Sequence, residues 1–233
     1  MDFKKTLLFS SLFILFTIIG AISHEYGHII VARFLGYKTE LHYGSMNYHR
    51  NFKRNEVNGI INRNKHQILN DQHFSEEQKL KKLIKKNRRD SLLISIGGPL
   101  QTNITGTFGF LILLYRKEKI KINGLKFFDW ICVFLSLFWL RQVSNLVLYF
   151  IKVLILKRQK HFSGDEYHIA LMLKIPSETI SIITGILGLL VSLVVIFKII
   201  DHKNRLTFII SGFLGGIVGF IFWMILVGPI ILP

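Results

Sequence analysis

Cysteine is almost absent from this sequence, proline is scarce, and acidic residues are few. The 233 residues include one cysteine, Cys132, so no disulfide can form within the chain and a cross-linked secreted scaffold is excluded. Cys132 lies in an apolar run and is expected to act as a small buried hydrophobe. With only four prolines, long helices can run without interruption. Fourteen Asp+Glu face 30 Lys+Arg, giving a net charge of +16, which excludes an acidic, solvating chain. Internal repeats and low-complexity tracts are also missing, which argues against a transporter built from repeated halves.

Apolar sequence is abundant instead. Half of the residues are hydrophobic, 20 of them Phe, and mean hydropathy is +0.40. Crossing a bilayer takes about 20 apolar residues. Five stretches meet that length, near 7–33, 91–115, 128–156, 178–199 and 206–231. The fold class expected is therefore all-α: a polytopic membrane helix bundle of about five spans, forming one embedded domain over 1–233. The first span begins like a signal peptide, with Lys4 and Lys5 before an apolar run and Ala21-Ile22-Ser23 after it. The apolar pattern continues through Ile29-Ile30-Val31-Ala32, so an uncleaved helix is expected. The basic residues fall between the spans, which points to anionic lipid headgroups as partners rather than nucleic acid.

The loop 37–90 carries 13 Lys+Arg and 6 Asp+Glu. Residues 39–48 suggest a short hairpin around Gly44, and residues 51–73 have no clear period. Ser75-Glu76-Glu77-Gln78 matches a capping box opening a helix, which either lies on the membrane surface or leads into span two. Five crossings place 37–90, 157–176 and the C-terminus on one side. That side holds 17 basic residues against ten on the other. The positive-inside rule then puts loop 37–90 in the cytoplasm. The last two spans contain Gly185, Gly188, Gly212, Gly215, Gly216 and Gly219, residues that allow helices to approach closely.

Chemistry concentrates at His24-Glu25-Tyr26-Gly27-His28. Helical residues four apart share a face, so two imidazoles can bind one ion. Ionisable groups inside a membrane helix cost about 2.5–3.5 kcal/mol each. A bound cation offsets that cost. The competing reading is that these residues snorkel to water or line an ion path. A catalytic zinc needs a third protein ligand and an open position. The motif lies in the second half of span one, level with the start of span two and the end of span three. The candidates there are Asp90, His161, Asp165, Glu166 and His168. Asp165 also suits the N-cap of a short helix ending before Pro176.

The pattern resembles the site-2 protease family of intramembrane zinc metalloproteases. His24-Glu25-Tyr26-Gly27-His28, with Ala32-Arg33 and Gly36 beyond it, is similar to that family's first motif. Gly98-Pro99 resembles its Gly-Pro motif. Asn145, followed by Asp165, resembles the region supplying an aspartate ligand. The resemblance implies Zn2+ held by His24, His28 and Asp165, with Glu25 as the catalytic base. It implies substrate contacts by Asn103 and Asn145, and cleavage of a membrane-protein or peptide substrate near the cytoplasmic face; the expected location is the plasma membrane. Two departures stand out. The position three after Pro99 is Thr102, with Asn103 one later, and Gly164-Asp165-Glu166 replaces the usual Leu-Asp-Gly, so either Asp165 or Glu166 could be the third ligand, Asp165 being preferred on the resemblance. Arg141, Gln142 and Asn145 serve either to contact the substrate backbone or hold a metal ligand in place, or to hydrogen-bond between helices. The alternative to a protease is a non-catalytic metal-binding membrane protein, or an inactive relative acting through partners.

Overall fold

A computed structural model describes residues 2–49, 51–151, 154 and 164–232, the side chains of 51–54 excepted. Residues 152–153 and 155–163, which include the end of the expected third span and His161, lie outside the described residues.

The fold is all-α with one small hairpin. Helix α1 (Phe3–Phe34) opens at Asp2, whose side chain accepts from the Lys4 and Lys5 N–H groups. It ends at Gly36, where φ is +84°, the left-handed conformation that favours glycine after a helix. Strands β1 (Lys38–Leu41) and β2 (Met46–His49) pair antiparallel, as residues 39–48 suggest. Then come α2 (Asn51–Arg63), α3 (Lys65–Leu69) and the 47-residue α4 (Glu77–Asn123). Helices α5 (Phe127–Ser136) and α6 (Leu140–Phe150) are joined by a single 3-10 turn. The chain closes with α7 (Asp165–Leu173), α8 (Thr179–Val194), α9 (His202–Ile221) and α10 (Gly228–Ile231).

Four rods are long and apolar enough to cross a membrane: Phe3–Phe34, Phe127–Phe150, Thr179–Ile199 and His202–Ile231. They correspond to the expected spans one, three, four and five. The expected second span lies inside α4. It falls short of the other four in apolar character because Gly97-Gly98-Pro99 and Gln101-Thr102-Asn103 dilute it. It nevertheless runs the length of the bundle. Its middle packs on α1 near His28, and its far end, at Leu113 and Ile120, joins a core with Phe9, Phe13, Phe134, Ile199 and Phe208.

The capping box does not form. Glu76 is the cap residue and makes no side-chain capping bond. Its carboxylate accepts instead from Arg63 and Asn64, and Glu77 pairs with His73 and Lys81. The helix is continuous with span two rather than separate from it. Close approach by glycine holds in part. A Cβ on Gly215 would fall 2.4 Å from the Ser10 carbonyl oxygen, and one on Gly188 2.6 Å from that of Trp139, whereas Gly216 faces open space. Cys132 is buried in the core.

Candidate metal centre

The motif in α1 meets a polar stripe on α4. His24 is fully buried and His28 nearly so. Ile94, Gly98 and Thr102 are spaced by four and therefore line one face of α4. Each meets a histidine. His28 Nδ1 lies 2.6 Å from the Ile94 carbonyl oxygen, and His24 Nδ1 lies 2.9 Å from Thr102 Oγ1. The Gly98 N–H also approaches His28 Nδ1 at 3.2 Å. The carbonyl contact is shorter, and a carbonyl can only accept, so His28 Nδ1 carries the hydrogen and its Nε2 is the free lone pair. Pro99 follows this turn.

Glycine makes the meeting possible. A Cβ on Gly27 would stand 2.4 Å from the Gly97 carbonyl oxygen, so α1 and α4 cross backbone to backbone inside the motif. A Cβ on Gly98 would stand 2.2 Å from His28 Nε2 and 2.6 Å from His24 Nε2.

Asp165, the first residue of α7, completes the group. Its Oδ2 lies 2.9 Å from His24 Nε2 and 3.4 Å from His28 Nε2, and the two Nε2 atoms are 3.3 Å apart. Two ligands each about 2.0–2.1 Å from a tetrahedral zinc stand roughly 3.3–3.4 Å apart. The three atoms thus form a triangle of suitable size for one small cation. The Asp165 side chain remains 30% exposed, so one side of the group is open. Glu25 is buried beside it, within electrostatic reach of His28, Asp165 and Arg141.

Among the described residues, the other third-ligand candidates go elsewhere. Asp90 accepts a hydrogen bond from the Tyr37 hydroxyl at 2.7 Å. Glu166 is buried outside the group, burial pushing its carboxyl up, and His168 is exposed. Among the described residues no other His/Cys/Asp/Glu group can hold a metal. Asn103 and Asn145 make no hydrogen bond to His24, His28 or Asp165 among the described residues. Asn103 Oδ1 is buried without a partner. It sits one residue, about 100°, from Thr102 around α4, while Thr102 faces His24. Sequence reasoning missed the Ile94 carbonyl and the spacing roles of Gly97 and Gly98. The available signal was the Gly-Gly-Pro step, which breaks an otherwise apolar helix.

The chain matches no protein-family model, no curated protein and no solved structure.

Proposed function

We propose that the protein is an intramembrane zinc metalloprotease of the site-2 protease type, with His24, His28 and Asp165 as ligands and Glu25 as general base. One observation carries this reading: two histidine Nε2 atoms and one carboxylate oxygen converge within 3.4 Å of one another in the interior of a helix bundle. A zinc ion bound there would polarise a carbonyl and bring the pKa of a water to about 7. Three protein ligands and the open side beside Asp165 suit that arrangement. Glu25 would take a proton from the attacking water at its carboxylate and deliver it to the leaving amine nitrogen. A structural zinc site would have no use for Glu25, which favours catalysis over a purely structural metal. Asn103, with its unpartnered buried oxygen, and Asn145 are assigned to the substrate backbone. The substrate is a membrane protein or peptide cut in or beside a membrane helix. The centre lies nearer the cytoplasmic face of the plasma membrane, with loop 37–90 among anionic headgroups.

The test is metal content and cleavage measured together. Purified protein should hold about one zinc per chain. Asp165→Ala should lose it, and Glu166→Ala should keep it. Glu25→Gln should keep the metal while cleavage of a co-expressed membrane substrate falls by about 10²–10⁴-fold. A wild-type protein without zinc would refute the reading.

A further inference from the structure

Thr102 stands where α4 meets the His24 ring, and it is 2% exposed. Its Oγ1 has two close partners: His24 Nδ1 at 2.9 Å and the Gly98 carbonyl oxygen at 3.1 Å. A hydroxyl has one hydrogen to give, and a carbonyl oxygen can only accept. If the hydroxyl donates to Gly98, as threonine commonly does to the carbonyl four residues back in a helix, only lone pairs face His24. Nδ1 must then carry the hydrogen. A neutral imidazole protonated at Nδ1 has its lone pair on Nε2. That atom faces Asp165 and His28.

The opposite arrangement has a different consequence. A hydroxyl turned to donate to Nδ1 would place the ring hydrogen on Nε2. His24 would then donate to Asp165 across 2.9 Å, and the group would close on itself as an ordinary buried hydrogen bond. The direction of one hydroxyl therefore separates an open ligand set from a satisfied polar pair. His28 is already held in the ligand tautomer by the Ile94 carbonyl at 2.6 Å, one face of α4 serving both rings.

We propose that Thr102 is a positioning residue: by donating to the Gly98 carbonyl and accepting from His24 Nδ1, it fixes the tautomer that leaves His24 Nε2 free to bind a metal. This inference rests on the metal-centre reading above. It also gives a role to the position where the resemblance leads one to expect asparagine.

The experiment uses the full chain in detergent, with two readouts. Zinc affinity is measured by competition with a chelator. The histidine tautomer is read from nitrogen-15 shifts in histidine-labelled, metal-free protein, the His24 signal being identified by its loss in His24→Gln. Thr102→Val keeps the shape and removes the hydroxyl; Thr102→Ser keeps the hydroxyl. Thr102→Val should weaken zinc binding by about 10–100-fold, the scale for groups that orient metal ligands. Thr102→Ser should bind like the wild type, and wild-type His24 should carry its hydrogen on Nδ1. A folded Thr102→Val that binds zinc as tightly as the wild type overturns the proposal. So does a wild-type His24 with hydrogen on Nε2, a result that decides the matter even if Thr102→Val does not fold. A wild type that binds no zinc refutes the metal reading alone, and the wild-type nitrogen-15 spectrum still decides the Thr102–His24 contact.

Discussion

Gly98 measures how little room the candidate centre leaves. Even a methyl group there would overlap both ligand nitrogens, at 2.2 and 2.6 Å. Gly98→Ala should therefore lower zinc affinity by at least about tenfold, comparable to disturbing a group that orients a ligand. Chelator competition on protein that still elutes as a folded species checks this, and unchanged affinity would show that the backbone yields instead. The same scale explains what could be foreseen. His24, Glu25 and His28 are legible because a spacing of four is itself a geometric statement about one helix. Asp165 is 141 residues from His24, and Thr102 is 78. No local period links such pairs, so topology leaves Asp165 as one of five candidates and only the resemblance singles it out, while Thr102 enters as a departure from a pattern.

Among the elements, α4 does the most. It crosses α1 at Gly27 and Gly97, supplies Ile94, Gly98 and Thr102 to the histidines, and extends beyond the expected span as a basic arm. Gly97→Val would drive a branched side chain into the α1 backbone, where a Cβ alone falls 2.5 Å from the Gly27 carbonyl oxygen. Overpacking of this kind costs about 1–3 kcal/mol. A lowered unfolding midpoint in detergent is expected, and an unaltered one would mean the crossing is loose. The arm has its own pH dependence. Hydrogen bonds from His73 and then Lys81 pull the half-buried Glu77 carboxyl from 4.5 down to about 2. A depressed carboxyl supports the folded arm above pH 4.5, and that support fades as pH falls from about 4.5 towards 2. Amide protection in the first turn of α4, corrected for intrinsic exchange, should drop over that window and do so less in Glu77→Gln. The hairpin was legible from its alternation and Gly44. Helices α2 and α3 were not, because ion pairs such as Arg63–Glu76 and Lys79–Glu56, rather than an apolar stripe, join α2 to the start of α4.

For the whole molecule, contacts between distant segments sort the chain into two ends. At one end Lys5 donates to Asn204, Ser211 to the Thr6 carbonyl, and Phe9 packs on Trp130 and Phe208. At the other, the Tyr43 N–H donates to the Leu232 carbonyl, Trp223 donates to the Tyr43 carbonyl, and Arg88 donates to the Met172 carbonyl. The N-terminus, the α4–α5 turn and the α8–α9 turn thus lie opposite the hairpin, α7 and the C-terminus. Five crossings would give that arrangement if α4, despite its polar middle, were counted beside the four apolar helices. The candidate centre belongs to the second end, whose loops are the more basic, and the cytoplasmic placement we propose for that end rests on the positive-inside rule. The single cysteine makes this easy to test. Cys132→Ala yields a cysteine-free chain, into which Gln72→Cys or Asn123→Cys places one exposed thiol at either end. In intact cells an impermeant thiol reagent should label Asn123→Cys and spare Gln72→Cys, and lysis should expose the latter. The reverse pattern would put the candidate centre on the outer face and remove the cytoplasmic assignment, while leaving the ligand geometry untouched.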